Sequence, residues 1–218
     1  MKVAALYDVH AMPWALEAVL AEVDADAIVF GGDLGGGPCP RETLALARSV
    51  GVNFVRGNAE RDLDLWDRGL LEQDEADWLA TLPMTVELDG VLYCHATPAD
   101  DLPLTTAITP DAALAALFAD VDGTVVIGHT HHQFDRQVGN LRVVNAGSVG
   151  MAYESDVAAF WLIVTDGQPS FRRTPIDVER AAAEILASGW PGAEAFVDAN
   201  LRVAVDRDEA IRHFESIR

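Results

Sequence analysis

Lysine is almost missing from this sequence of 218 residues: Lys2 is the only one, and the other strongly basic residues are arginines. Basic side chains number 15 against 35 acidic ones, which gives a formal net charge of −20. A surface of that charge repels phosphate backbones and anionic lipid headgroups at long range. The composition therefore argues against an extended nucleic-acid interface and against binding to an anionic membrane.

Cysteine is scarce too, and long apolar runs are absent. Cys39 and Cys94 form no C-x-x-C pair, so we predict two free thiols, with a disulfide between them as the alternative. The longest apolar run, 157–164, is far short of the roughly 20 residues that a membrane helix needs. The chain passes from Met1 directly into strand-like residues without the features of a secretory leader, which predicts a cytoplasmic protein.

Short apolar runs alternate along the chain with helical segments. Strands are predicted at 3–7, 27–30 and 52–55, and Pro13 is suited to the first turn of the helix after the first strand. One helical stretch is expected from about 63 to 82, followed by a hairpin that turns at Asp89-Gly90. Further strands are predicted at 124–127, 133–138, 141–145, 158–165 and 169–174. We predict one α/β domain over residues 1–218 with mixed sheets, on which 178–218 pack as a helical C-terminal segment.

Six short segments follow apolar runs, and most of them carry side chains that can bind a metal ion. These segments are Asp8-Val9-His10, Gly32-Asp33, Gly57-Asn58, His95, Gly128-His129-Thr130-His131 and Asn145-Ala146-Gly147-Ser148. Any one of them has an ordinary explanation as a loop, whereas their joint placement at strand ends is typical of a binding site. Side chains at i and i+2 of an extended chain point to the same side. Asp8 and His10 are therefore expected to converge on one ion, and His129 and His131 can share a site.

The donor atoms in these segments indicate the kind of ion. Imidazole, carboxylate and amide groups together favour borderline divalent ions over Mg²⁺ or Ca²⁺. The candidate ligands are too many for one tetrahedral zinc and suffice for two ions with open positions. They are Asp8, His10, Asp33, Asn58, His95, His129 and His131. Two divalent ions against two carboxylates leave the site locally positive, which suits an anionic substrate. The glycines before Asp33, Asn58 and His129 are expected to permit tight turns.

The order D-x-H, G-D, G-N, H and G-H-T-H resembles the calcineurin-like metallophosphoesterase superfamily, and Gly37-Pro38-x-Pro40-x-Glu42 resembles its small bacterial and archaeal phosphodiesterase branch. The resemblance spans residues 1 to about 174. It implies a four-layer α/β/β/α sandwich with two mixed sheets. It also implies a ligand set for each of two ions: Asp8, His10 and His131 for one, Asn58, His95 and His129 for the other, with Asp33 as the bridge. The implied reaction is attack on a phosphate ester by a hydroxide held between two divalent transition-metal ions. Manganese is the first expectation, and iron, nickel, cobalt and zinc are the alternatives.

One position departs from the family pattern. Many members read G-N-H-[DE], where the histidine assists the leaving group, and here Ala59 stands in its place. Candidates to supply that function are His132, Arg56 and Arg61, and Asn58 is expected to add a hydrogen bond to a phosphoryl oxygen. General acid catalysis contributes about 10²–10⁴-fold. Its loss favours diesters with good leaving groups over unactivated monoesters.

The predicted function is therefore hydrolysis of a small phosphorylated or nucleotide-like phosphodiester. Two alternatives stay open, a phosphoprotein phosphatase and a non-catalytic metal-binding scaffold of the same fold. The sequence indicates no extended peptide groove, and a scaffold is expected to lose metal ligands that this chain keeps. The helical segment 178–218 could cover a sheet edge, act as a lid or support a homo-oligomer.

Overall fold

The structure is a computed structural model that describes residues 1–218 and contains two five-stranded sheets. The strands are β1 (Lys2–Leu6), β2 (Ala27–Phe30), β3 (Asn53–Phe54), β4 (Thr85–Leu88), β5 (Val91–Cys94), β6 (Thr124–Ile127), β7 (Phe134–Val138), β8 (Leu141–Asn145), β9 (Ala158–Thr165) and β10 (Gln168–Pro175). The helices are α1 (Pro13–Glu22), α2 (Pro40–Val50), α3 (Asn58–Arg61), α4 (Leu65–Leu70), α5 (Gln73–Ala80), α6 (Asp111–Leu117), α7 (Val178–Ser188), α8 (Ala193–Phe196) and α9 (Arg207–Ile217), with a π-helical turn at Val197–Leu201. None of these helices combines the length and apolarity that crossing a bilayer requires.

Both sheets are mixed. The first has the order β10-β9-β1-β2-β3 and the second the order β4-β5-β6-β8-β7. Strands β1, β2 and β3 are parallel in the first sheet, as are β5, β6 and β8 in the second. The remaining strands, β4, β7, β9 and β10, pair antiparallel with their neighbours.

Three apolar clusters hold the layers together. A cluster of 12 buried residues, with Val3 from the first sheet and Val144 from the second, fills the space between the sheets. A cluster of 27 joins the other face of the first sheet to helices, through residues such as Leu16 of α1 and Ile185 of α7. A third cluster packs Leu114 of α6 on the second sheet. The predicted four-layer α/β/β/α sandwich is confirmed. Since α7 shares the largest cluster, we infer that residues 1–218 form one domain.

Local signals explain where the elements begin and break. Helix α1 starts at Pro13 as predicted, and Asp89 and Gly90 turn the β4–β5 hairpin with φ values of 54° and 74°. The helical stretch predicted from about 63 to 82 is divided into two helices, α4 and α5. Leu71 leaves helical geometry with ψ 144°, and Glu72 caps α5 in a capping box with Glu75. Cys39 and Cys94 are free thiols, as predicted.

The parallel strands determine where the functional side chains meet. The segments with Asp8, Asp33 and Asn58 follow β1, β2 and β3, while His95 and His129 follow β5 and β6. Carboxyl ends of parallel strands share one edge of a sheet, where α/β proteins bind ligands. The two edges touch, since the His129 N–H donates to Asp8 Oδ2 at 2.9 Å across the sandwich.

Candidate metal centre

The first group of converging side chains is Asp8, His10 and His131, whose donor atoms lie within 4.8 Å of one another. The Nε2 atoms of His10 and His131 are 3.0 Å apart. Asp8 Oδ1 lies 3.9 Å from Nε2 of His10 and 3.4 Å from Nε2 of His131. All three residues are buried or nearly so.

The second group is Asp33, His95 and His129, which converge in the same way. His95 Nε2 lies 3.5 Å from Asp33 Oδ2 and 3.2 Å from His129 Nδ1. The amide oxygen of Asn58 is 3.2 Å from the same His95 nitrogen. The structure thus brings all seven predicted ligands together, and their roles as ligands stay predictions.

Two carboxylates lie between the groups. Asp33 Oδ2 is 3.8 Å from His10 Nε2 of the first group as well as 3.5 Å from His95 Nε2 of the second. Asp8 Oδ1 is also 4.0 Å from His95 Nε2. Asp33 therefore faces both groups, as a bridging ligand must.

The residues present fit a pair of metal ions. Asp8 Oδ1 is buried and has no hydrogen-bond partner, although it faces imidazole nitrogens of three histidines. A buried carboxylate oxygen without a partner is costly unless it coordinates a cation. Two nitrogens that are each about 2.1 Å from one ion lie about 3.0 Å apart at an octahedral angle and about 3.4 Å apart at a tetrahedral one. The separations of 3.0 and 3.2 Å within the two histidine pairs fall in this range. The nitrogen and oxygen donors suit a divalent transition metal.

Backbone carbonyls orient three of the imidazoles. His95 Nδ1 lies 3.0 Å from Gly31 O and His131 Nδ1 lies 2.8 Å from Met151 O. His129 is turned the other way, with Nε2 at 3.1 Å from Leu102 O. A proton on each carbonyl-facing nitrogen leaves the opposite nitrogen with a free lone pair toward the centre, which is how metal-binding histidines are fixed.

Electrostatics keeps Asp8, His10 and His129 in metal-binding forms but acts the other way on His95. Burial would lower the pKa of His95, but the facing carboxylates of Asp33 and Asp8 outweigh it and raise that pKa. Burial alone would raise the pKa of Asp8, but the facing rings of His131, His95 and His10 outweigh it and hold that pKa well below its usual range. Burial, together with the charge of His131, lowers the pKa of His10 to about 4. Burial likewise lowers the pKa of His129. At neutral pH Asp8, His10 and His129 are a carboxylate and neutral imidazoles, which are the forms that bind metal.

The backbone at the ligands is left-handed. Asp8, His10, Asp33, His129 and His131 have φ values of 52°, 48°, 52°, 67° and 56°. The extended chain on which the i, i+2 expectation rested is therefore not observed. Asp8 and His10 still converge, whereas His129 and His131 belong to different groups. Left-handed φ at non-glycine residues is costly and concentrates at functional sites.

Two of the glycines beside the ligands are needed because a carboxylate lies too close for a side chain, and not because the backbone turns there. A Cβ at Gly57 would lie 2.2 Å from Asp33 Oδ1, and one at Gly128 would lie 2.3 Å from Asp8 Oδ2. Of the three glycines predicted to turn, only Gly32 has a positive φ, of 96°. Any side chain at 57 or 128 would displace a metal-facing carboxylate.

Glu60 holds the second group in place, and its role was not found from the sequence. Its buried carboxylate accepts from the N–H groups of Asp33 at 2.8 Å, Leu34 at 2.7 Å and Gly57 at 2.8 Å. Burial and the charge of Asp33 raise the pKa of Glu60 to about 7, although the N–H donors of Gly57 and Asp33 oppose that shift. The carboxylate ties the loop after β2 to the loop after β3. The glutamate of G-N-x-E was the only signal, and its partners lie up to 27 residues away.

We expect Glu60→Ala to lower the free energy of unfolding by about 3 kcal/mol or more, since each buried N–H left without a partner costs about 1–3 kcal/mol. Glu75→Ala is the matched control, because Glu75 occupies the same capping-box position of α5 and bonds only the Glu72 N–H. Its effect should be about 1 kcal/mol or less. Urea denaturation in the presence of a chelator measures both, and equal losses would contradict the clamping role of Glu60.

The late N-x-G-S segment also supports the centre. Asn145 Nδ2 donates to Gly128 O at 2.6 Å, and Ser148 Oγ donates to Asp8 O at 2.7 Å. Tyr153 was missed by sequence reasoning, since no motif contains it. Its N–H donates to His131 O at 2.9 Å, and its ring lies 5.0 Å from the His131 ring.

The other predicted catalytic residues are engaged with protein groups. Both ring nitrogens of buried His132 have backbone partners, Thr130 O at 2.8 Å and the Ala107 N–H at 3.3 Å. Arg61 pairs with Asp62 and Asp101. Arg56 donates to Met84 Sδ at 3.1 Å. The structure does not bring these three side chains into the ligand groups, and their catalytic roles stay predictions.

A four-layer sandwich with two adjoining ligand groups at the carboxyl ends of its parallel strands defines a dimetal-type α/β protein. The calcineurin-like phosphoesterase superfamily domain matches residues 1–168. The chain belongs to this superfamily, whose members depend on two metal ions.

Solved structures show the same fold. A metallophosphoesterase from Sphaerobacter thermophilus is 25% identical, covers 90% of this chain and 97% of its own, and superposes with a TM-score of 0.76. A hypothetical protein from Pyrococcus horikoshii OT3 is 16% identical over the same shares of the two chains, with a TM-score of 0.77, and supports the fold alone. A search of curated proteins found no match.

Proposed function

We propose that this protein is a hydrolase of small or nucleotide-like phosphodiesters that uses two divalent ions, with manganese the favoured metal. The observation that carries the proposal is the Asp33 carboxylate, which faces His10 of one ligand group and His95 of the other. A phosphate ester is the anionic substrate that such a pair of ions, with only two carboxylates among their candidate ligands, would attract.

The seven candidate ligands would be divided between the two ions. Asp8, His10 and His131 would hold one ion and Asn58, His95 and His129 the other, with Asp33 shared. Bound ions supply positive charge for the phosphoryl oxygens and lower the pKa of the attacking water. Asn58 turns its amide oxygen toward His95, which leaves its Nδ2 as a donor for a phosphoryl oxygen.

The leaving group receives no proton donor from position 59. Ala59 contributes only its N–H, which donates to Asp33 Oδ1 at 2.8 Å. His132 and Arg61 are engaged with other protein groups. A substrate whose leaving group departs without protonation fits this arrangement, which favours diesters with good leaving groups over unactivated monoesters.

A phosphoester panel tests the proposal. With Mn²⁺ the protein should hydrolyse bis-(p-nitrophenyl) phosphate, lose that activity in a chelator, and turn over phenyl phosphate at least about 10²-fold more slowly. Release of p-nitrophenol or phosphate is the readout, and a phosphopeptide in the panel tests the phosphoprotein phosphatase alternative. A protein that binds two Mn²⁺ and hydrolyses none of these esters would instead be a metal-binding scaffold.

A further inference from the structure

A pocket near the first ligand group contains none of the residues to which a role in hydrolysis was given above. It has a volume of about 400 Å³ and lies between residue 153 and helix α9. Tyr153 forms its wall on the metal side, since the Tyr153 ring packs on the His131 ring with centroids 5.0 Å apart. No candidate metal ligand lines the pocket, but Tyr153 contacts both the pocket and His131, so a group held there would share that residue with the first ligand group. The volume falls within the range of small-molecule sites.

The pocket offers aromatic faces. Tyr153 and Phe214 line it with rings 5.9 Å apart and tilted by 32°. His213 also lines it, next to Phe214 with ring centroids 6.0 Å apart. The Tyr153 backbone is fixed by its bond to His131 O, and Phe214 stands on a regular helix. Rings held in this way favour a flat aromatic ligand.

The charge of the pocket further limits the chemical class of ligand that it can bind. Asp206 and Glu209 line it, and neither lysine nor arginine does. One oxygen of Asp206 accepts the Glu209 N–H at 2.8 Å, which leaves the Glu209 carboxylate and the second Asp206 oxygen as free acceptors. Carboxylates repel a second phosphate and accept hydrogen bonds from amines. The ligand should therefore carry amine donors and no charge of its own.

A larger cavity, of about 540 Å³, lies near the other group but is less informative. Its lining is mainly aliphatic, with Leu104, Leu117 and Ile217 among its residues, and it contains no aromatic ring. It therefore offers no stacking surface, and its two charged residues, Asp100 and Arg218, have opposite signs.

We infer that the pocket between Tyr153 and α9 binds the amine-bearing base of a nucleoside phosphodiester whose phosphate sits at the ligand groups. The inference rests on the proposed function, and it names the substrate class as nucleoside esters with a single phosphate. Tyr153 and Phe214 would contact the base by stacking, and Glu209 would accept from its exocyclic amine.

Calorimetry with the Mn²⁺-loaded protein tests this inference without turnover. Adenosine 5′-monophosphate and ribose 5-phosphate carry the same phosphate with and without a base, and the first should bind at least about 10-fold more tightly because of stacking. Phe214→Leu keeps an apolar side chain but should reduce that ratio to about 2 or less. Phe171→Leu is the matched control, an exposed phenylalanine on β10 outside the pocket, and should leave the ratio unchanged.

A second comparison isolates the amine. Inosine 5′-monophosphate has a carbonyl where the adenosine ester has its exocyclic amine, so it should bind about 3-fold or more weakly, and Glu209→Gln should narrow that gap. Equal Kd values for adenosine monophosphate and ribose 5-phosphate in the wild-type protein would overturn the inference, as would a ratio that survives Phe214→Leu.

The two proposals fail separately. Tighter binding of adenosine monophosphate by a protein that hydrolyses no ester would support the base-binding pocket and contradict the proposed hydrolase function. Hydrolysis of bis-(p-nitrophenyl) phosphate by a protein that binds adenosine monophosphate and ribose 5-phosphate equally would support the hydrolase function and contradict the base-binding pocket.

Discussion

Asp33→Asn should reduce kcat/KM for bis-(p-nitrophenyl) phosphate by about 10³-fold or more. The amide keeps the shape of the side chain and an oxygen for the Ala59 N–H, which bonds Asp33 Oδ1 at 2.8 Å. It removes the negative charge that faces His10 and His95 at 3.8 and 3.5 Å. A loss of about 4 kcal/mol in transition-state stabilisation corresponds to that factor. Metal ions supply several kcal/mol of such stabilisation.

Metal content separates this effect from misfolding. The Asp33→Asn protein should remain folded by circular dichroism but bind fewer than two Mn²⁺ per chain by elemental analysis. Asp120→Asn, the same exchange at an exposed position after α6, should change neither quantity. Two bound Mn²⁺ together with activity within about 10-fold of wild type would rule out a bridging Asp33.

Ala59→His should raise kcat/KM for phenyl phosphate by about 10²-fold, because an imidazolium at this position can protonate a poor leaving group. Residue 59 follows Asn58 directly, and its N–H already bonds Asp33, so a side chain there starts beside the ligand groups. Bis-(p-nitrophenyl) phosphate should gain little, since p-nitrophenolate leaves without a proton.

The pH profile identifies the new acid. Activity of Ala59→His on phenyl phosphate should fall above the pKa of the new histidine, because only the protonated ring donates. Ala59→Gln is the control, a polar side chain that cannot donate an acidic proton. Equal gains for the glutamine and histidine variants would show that position 59 acts through shape or hydrogen bonding rather than through proton transfer.

Much of the centre could be predicted because its ligands follow hydrophobic strands. The apolar run 27–30 predicts β2, and its carboxyl end places Asp33 at the sheet edge. The break between α4 and α5 could not be predicted, since Leu71 continues the apolar pattern and leaves the helix only because Glu72 caps the next one.

The parts that were missed depend on contacts between distant segments. Glu60 bonds Leu34 across 26 residues, and nothing in a local pattern indicates which N–H groups it will meet. Tyr153 approaches His131 only because the loop after β8 folds back over the end of β6, where its N–H bonds His131 O. Sequence motifs indicate the candidate metal ligands, whereas the residues that hold those ligands in position can be identified only from the three-dimensional structure.

The left-handed backbone at the ligands has a consequence for how such a protein changes over evolutionary time. His10, His129 and His131 adopt φ values of 48°, 67° and 56°, each of which costs about 1–2 kcal/mol for a residue with a Cβ. A lineage selected for folding alone would gain stability by drifting to glycine at these positions. Histidine at all three positions is the pattern expected where selection for metal binding outweighs that gain in stability. Glycine at these positions in a relative would indicate a lineage that has lost metal binding.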